Sequence, residues 1–268
     1  MDTTRSKLFA ALSGVGVIAA CLILLTTGCF AQTDSQPESG AKSGQRTILI
    51  TGANRGIGLE LSRQFGEAGW QVIGTARKPD QADALRGLGA QVLQLDVTDQ
   101  DSVERLASDL EGRPIDLLIN NAGILPRAPS ISETDFDDVT RALAVNTIGP
   151  MRVTRALLPN LRSGAGKTVV NITSGLGSIA NNSSGGFYGY RESKAALNMF
   201  TRSLANELRR DGFICIVVHP GWVQTDMGGA NATLTASESA RGIRDVIDKL
   251  APEDTGTFWN YDGTPLPW

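Results

Sequence analysis

The sequence predicts an α/β fold built on one doubly wound parallel sheet with helices on both faces. Two observations carry this. Short apolar runs, β-branched or leucine-rich, alternate along the chain with segments of helical period. The strand-like runs are apolar throughout rather than alternating, so each is expected to be covered on both faces, as parallel strands are. Right-handed crossovers then wind the sheet outward on both sides of its centre.

The elements follow in order. Strands are expected at 47–50, 71–74, 91–95, 115–119, 168–172 and 214–218. Ile57, Leu61, Phe65 and Ala68 form one helical stripe, and Val103, Leu106, Ala107 and Leu110 form another at i, i+3, i+4, i+7. Capping boxes are expected at Thr98 with Asp101, Ser132 with Asp135, and Thr235 with Glu238. The pattern starts at Arg46 and runs to the end, giving one domain over 46–268 with no internal repeat.

Composition narrows the function. The 268 residues suffice for a core without disulfides or metals. A net charge of −3 and the lack of any Lys/Arg-rich run exclude a nucleic-acid footprint. Of the three cysteines, Cys21 and Cys29 lie in or beside an apolar leader, and Cys215 sits in the apolar run before Val218, as a small buried hydrophobe. The one histidine, His219, cannot build a multi-His metal site, so no metal is expected.

Residues 1–30 read as a targeting segment rather than part of the fold. Arg5 and Lys7 precede an apolar stretch over 8–25, then Thr26-Thr27-Gly28-Cys29. Three readings stay open: a lipoprotein signal with Cys29 lipidated, an uncleaved membrane anchor, and an ordinary secretory signal. Thr26 stands where a lipobox commonly has Leu. Residues 31–45 are rich in Gln, Ser, Gly, Asp and Pro and read as a flexible linker. Membrane association through the N-terminal segment is therefore expected.

Directly after the first strand stands Thr51-Gly52-Ala53-Asn54-Arg55-Gly56-Ile57-Gly58. Such glycines allow a tight turn, close approach of a pyrophosphate and close helix packing, with helix N–H groups facing the phosphates. The second strand ends Gly74-Thr75-Ala76-Arg77-Lys78. An acid here would hold a ribose 2′-hydroxyl; Ala76 followed by Arg77, with Arg55 nearby, suits a 2′-phosphate instead. NADPH/NADP+ is the expected cofactor, NADH less so. Tyr190-Arg191-Glu192-Ser193-Lys194 places a phenol and an ammonium on one helix face. The ammonium and a positive nicotinamide ring would favour phenolate and bring proton transfer within reach.

These motifs resemble the short-chain dehydrogenase/reductase family. TGxxxGxG is its glycine loop, Asn120-Asn121-Ala122-Gly123 its NNAG motif and Tyr190/Lys194 its YxxxK. The wording His219-Pro220-Gly221-Trp222-Val223-Gln224-Thr225 and the ending at Trp268 are similar to the C-factor and sniffer-like carbonyl reductases. The resemblance runs from about Arg46 onward and implies a Rossmann-type sheet. It implies Asn146, Ser174, Tyr190 and Lys194 as the catalytic set. Ser174 would hold the carbonyl oxygen, and Asn146 would bend its helix and hold a water beside Lys194. Ser178, Ser183 and Ser184 are rival serines. The implied cofactor contacts are Thr51, Gly52, Asn54, Arg55, Gly56, Ile57, Gly58, Arg77, Asp96, Val97, Asn121, Ala122, Gly123, Tyr190, Lys194, Pro220, Gly221, Val223 and Thr225. Asp96 would bind adenine, and the Pro220–Thr225 turn would line the nicotinamide.

The expected activity is hydride transfer between NADP(H) and a small-molecule carbonyl or alcohol, with Tyr190 as proton donor. A homo-oligomer fits the family, whose members often pair through their fourth and fifth helices. The rival reading is a membrane-tethered signalling or interaction protein that keeps the nucleotide-binding fold. Arg5 and Lys7 place the domain outside the cytoplasm, whereas NADPH supply favours the inside. Residues 222–237 are expected to form a variable lid, with Gly228, Gly229 and Ala230 as hinges.

Overall fold

The computed structural model describes residues 44–268. The leader and the linker as far as residue 43 lie outside the described residues. Among the described residues no helix is long and apolar enough to cross a membrane.

Seven strands form one sheet in the order β3-β2-β1-β4-β5-β6-β7, every neighbouring pair parallel. They are β1 (Thr47–Ile50), β2 (Gln71–Ala76), β3 (Gln91–Gln94), β4 (Leu117–Asn120), β5 (Thr168–Ile172), β6 (Ile214–His219) and β7 (Phe258–Asn260). The expected strands are all present. β2 and β6 run further, β3 stops one residue earlier, and β4 is shifted toward its C-terminal end. β7 was not expected; three residues carry too little periodicity to be read as a strand.

Successive residues of each strand point to opposite faces. Ile48 and Ile50 pack with Leu61, Phe65, Leu85 and Ile243. Those residues come from α1 (Gly56–Glu67), α2 (Asp83–Gly87) and α8 (Ala236–Ile247). Leu49 points the other way, into a core with Leu106, Val153, Leu161 and Leu208. That core is supplied by α3 (Gln100–Asp109), α5 (Gly149–Ala156), α6 (Leu158–Ser163) and α7 (Tyr190–Leu208). Both faces are thus covered, as the sequence predicts. Cys215 lies in the second core, fully buried.

Two helix starts differ from expectation. α3 is capped by Asp99, which accepts from the Asp101 N–H at 3.0 Å, because the Thr98 hydroxyl is spent on Asp96 at 2.7 Å. The next helix, α4 (Phe136–Leu143), is capped by Asp135 rather than Ser132. Ser132 is held in a 3₁₀ turn, Ile131–Glu133. The Thr235–Glu238 capping box forms as expected.

The winding reverses between β1 and β4, which neighbour each other at the sheet centre. A crevice opens at the carboxyl ends of strands at such a point. The loops after β1, β4, β5 and β6 all emerge on that rim.

Candidate active site

The first loop is built around conformations that only glycine adopts freely. Gly52 and Gly56 have φ of 62° and 55°. At Gly58 a Cβ would lie 2.5 Å from the Gly52 carbonyl oxygen and 2.6 Å from Asn121 Nδ2. α1 therefore starts tight against the loops after β1 and β4. Its first turn has no side-chain cap and no acid, so its N–H groups face the crevice unneutralised. Asn54 and Arg55 ride on the loop, and Ile57 packs into the core below.

The loop after β4 is locked to the first. Thr51 Oγ1 accepts the backbone N–H of Asn121 and of Ala122, each at 3.0 Å. Asn121 Nδ2 donates to the carbonyls of Thr51 at 2.9 Å and Gly52 at 3.0 Å. The glycine loop and the NNAG motif are one hydrogen-bonded unit.

β2 ends at the buried Ala76, and Arg77 just beyond it is exposed. Arg77 faces Asp96, whose carboxyl it helps hold below the usual carboxylate range; the larger effects are burial, which opposes, and Thr98, whose hydroxyl and N–H favour the charge. Val97 packs against the start of α5, where a Cβ on Gly149 would meet it at 2.8 Å. Arg55 does not stand free in this structure: its guanidinium pairs with Asp226 at 2.7 Å, both side chains exposed.

The catalytic candidates come together. Tyr190 opens α7, and Lys194 follows one turn later on the same face. Tyr190, Lys194 and Ser174 are all buried. Lys194 Nζ lies 5.8 Å from the Tyr190 ring centroid and donates to the Ile172 carbonyl at 2.8 Å. Burial pulls the Lys194 ammonium down to about 8. Burial also pushes the Tyr190 phenol above its ordinary value, and the Ser174 hydroxyl draws it part of the way back. Burial thus opposes the acidification expected from Lys194 together with a bound nicotinamide ring. Desolvation disfavours the phenolate, so the folded chain alone keeps Tyr190 as an acid. The Ser174 hydroxyl also caps the 3₁₀ turn Gly175–Gly177 by accepting from Leu176 N–H at 3.1 Å.

Asn146 sits in a π-helical turn, Ala144–Ile148, between α4 and α5, the local distortion the resemblance implies. Its amide donates to the Ile124 carbonyl at 2.9 Å and to Ser193 Oγ at 3.0 Å, and accepts from Ile124 N–H at 2.9 Å. Wide turns of this kind often mark functional sites. A Cβ on Gly123 would lie 3.2 Å from Asn146 Oδ1 and 3.7 Å from Lys194 Nζ. A side chain here would press on Asn146 Oδ1 and narrow the space between the two groups.

After β6, Pro220 accepts from Ser239 Oγ at 2.6 Å, and Gly221 turns at φ 81°. Val223 is buried and bridges to Leu234. The Thr225 methyl would touch a Cβ on Gly56 at 3.2 Å, so this turn closes onto the first loop. Trp222 Nε1 donates to the Gly228 carbonyl at 2.9 Å, folding the expected lid onto itself. The rival serines are otherwise employed: Ser178 is buried and donates to the Pro267 carbonyl at 2.7 Å. Ser183 and Ser184 are exposed.

Sequence reading missed a buried polar ladder beneath the site. Asn120 Nδ2 donates to Asn171 Oδ1 at 2.8 Å, and Asn171 Nδ2 donates to Thr201 Oγ1 at 2.7 Å. The ladder ties β4, β5 and α7 at one depth. Asn171 directly before the Ser174 turn was the available signal. Among the described residues no three His, Cys, Asp or Glu gather as a metal cage. Burial raises the Cys215 thiol to about 12, which keeps it protonated and inert.

A glycine cradle at the switch point, facing a buried Tyr–Lys–Ser group, defines a nucleotide-dependent oxidoreductase. The chain matches the short chain dehydrogenase family over residues 46–234. It is 52% identical to C-signal of Myxococcus xanthus over 155 residues, 58% of this chain and 93% of that protein. Its fold is similar to carbonyl reductase Sniffer of D. melanogaster, with a TM-score of 0.79 and 36% identity, covering 84% of this chain and 100% of that one. It is likewise similar to the NADPH-bound carbonyl reductase from chicken fatty liver, with a TM-score of 0.78 and 35% identity over 84% of this chain and 99% of the other. The protein belongs to the short chain dehydrogenase family, and is an oxidoreductase of that family.

Proposed function

We propose that the protein is an NADPH-dependent carbonyl reductase. The observation that carries this is the buried Tyr190–Lys194 pair beside Ser174, where burial favours the neutral phenol. NADPH, when bound, supplies the hydride. Tyr190 gives its proton to the carbonyl oxygen as negative charge develops there. Ser174 donates to the same oxygen and fixes its position, an oxyanion-type role. Lys194, with its pKa near 8, keeps most of its charge at neutral pH and is placed to hold ribose hydroxyls. Asn146 and Gly123 hold a gap beside Lys194 for a relay water.

The choice of NADPH over NADH rests on three residues. Ala76 leaves no carboxylate at the end of β2, and Arg77 and Arg55 flank the crevice. The NADPH-bound chicken enzyme supports the same reading. The name of C-signal supports a second reading, a signalling protein that keeps the fold, and the same experiment separates the two.

The test is NADPH consumption with a panel of aldehydes, ketones and quinones, by wild type and Tyr190→Phe. The variant keeps the ring and loses only the donor. Turnover is expected to fall at least about 100-fold while NADPH affinity stays within about threefold. Turnover above about a few per cent of wild type removes Tyr190 from the role. No turnover by wild type with any carbonyl favours the signalling reading.

A further inference from the structure

The loop over residues 175–189 joins the two catalytic hydroxyls, Ser174 and Tyr190. One side chain closes it. Arg191 is 8% exposed and spends its guanidinium on both ends of the loop. Nη1 donates to the Leu176 carbonyl at 3.3 Å, at the start. Nε donates to the Gly186 carbonyl at 3.0 Å, and Nη2 to the Gly185 carbonyl at 3.0 Å and Ser184 Oγ at 3.1 Å, all near the end.

Burying a cation is costly unless its donors are met. Among the described ion pairs none includes Arg191. Carbonyl dipoles take the place of a carboxylate. A guanidinium can do this because its rigid fork points donors in several directions, whereas an ammonium has no such span. The staple also holds backbone in an unfavourable shape. Gly185, Gly186 and Phe187 have φ of 63°, 68° and 55° in succession, and a phenylalanine there must be held by its surroundings. The Phe187 carbonyl in turn accepts the backbone N–H of Tyr190 and of Arg191, each at 3.1 Å. The strained turn and the start of the catalytic helix are one unit.

This unit borders the site, since it runs from Ser174 to Tyr190. Tyr188 N–H donates to the Ala128 carbonyl at 3.3 Å, seating the loop's end on the segment after β4. The loop's start is seated on Trp268, whose carbonyl accepts the Ala180 N–H at 2.9 Å. The loop is thus held at both seats as a wall between Ser174 and Tyr190.

We propose that Arg191 is a positioning residue that sets the shape of this wall and so determines which carbonyl substrates enter. The proposal rests on the carbonyl-reductase reading above. Arg191 acts through the loop, not on the reacting atoms, since its guanidinium bonds go to Leu176, Ser184, Gly185 and Gly186.

The test uses the full chain with NADPH and two probes, compact benzaldehyde and broad phenanthrenequinone. Arg191→Met is expected to raise KM for phenanthrenequinone at least about tenfold more than for benzaldehyde, with kcat changed less. The pH profile and KM for NADPH stay as in wild type. Arg191→Lys restores part of the loss. Amide hydrogen exchange over 184–187 accelerates at least about tenfold, with the sheet unchanged. Ser184→Ala, on the exposed tip, does not endanger folding and should shift the KM ratio the same way by about twofold. The proposal is overturned if the ratio stays fixed in Ser184→Ala and in each Arg191 variant that folds. It is also overturned if KM for both probes moves in parallel. If wild type reduces neither probe, the carbonyl-reductase reading fails instead. Unchanged exchange at 184–187 then overturns the positioning role on its own.

Discussion

Arg55 of the glycine loop donates to Asp226 of the segment after β6 across 2.7 Å, so the two sides of the cofactor crevice are joined by an ion pair. Both side chains are exposed, which makes the pair a weak contributor to stability, on the order of 0.5 kcal/mol. Its importance is competition. An Arg55 committed to Asp226 is less available to a phosphate. Asp226→Asn is expected to lower KM for NADPH about threefold, and Arg55→Ala to raise it about tenfold. Both follow from initial rates at varied NADPH. An Asp226→Asn enzyme with weaker NADPH binding would show that the pair assists the cofactor.

Arg77→Asp is expected to turn the preference toward NADH. It removes one phosphate partner and supplies a carboxylate where a ribose hydroxyl could use it. The readout is the ratio of kcat/KM for the two cofactors. A ratio that does not move means the 2′-phosphate is held elsewhere.

The acid side of the stability curve should carry the mark of one residue. His219 is the single histidine, its Nδ1 is enclosed without a partner, and burial takes its pKa down to about 4, Asp262 opposing only in part. Between its ordinary value of about 6.5 and 4, the unfolded chain binds a proton that the folded chain refuses. This contribution is therefore complete above about pH 6.5 and is lost as pH falls toward 4, by at most about 3 kcal/mol. Urea unfolding of wild type and His219→Gln across that range gives the comparison. Wild type should lose stability relative to the variant as pH falls, and parallel curves would contradict the assignment.

The N-terminal segment is proposed to tether the domain to a membrane. Full-length protein should fractionate with membranes, and protein lacking residues 1–44 should be soluble and equally active, since all the candidate site residues lie beyond Arg46. Protease protection in intact cells reports the side. Full-length chain found in the soluble fraction with its first residues intact would end this reading.

The site was legible where function depends on spacing along one element. Tyr190 and Lys194 share a helical turn, and the glycines of 52–58 demand one loop shape, so both can be read from the order of residues. The caps at Asp99 and Asp135 were misplaced because the neighbouring Thr98 and Ser132 are equally good caps until their competing partners are seen. The Asn120–Asn171–Thr201 ladder and the Arg191 staple were illegible for a different reason. Their partners are set by strand register and by the path of a loop, and backbone carbonyls leave no trace in a sequence.

The π-helical turn at Ala144–Ile148 has a further consequence for how this chain tolerates length changes. One surplus residue is absorbed there without breaking the continuity of α4 and α5. Deleting a single residue within it would let the two merge into an ordinary helix. Residues downstream would keep their facing, because the wide turn is what absorbs the extra residue, and only the turn itself would be lost. Asn146, held on the wide turn, would leave Ile124 and Ser193. The segment should accept many substitutions on its exposed side yet reject any one-residue deletion, so its length is more tightly constrained than its composition.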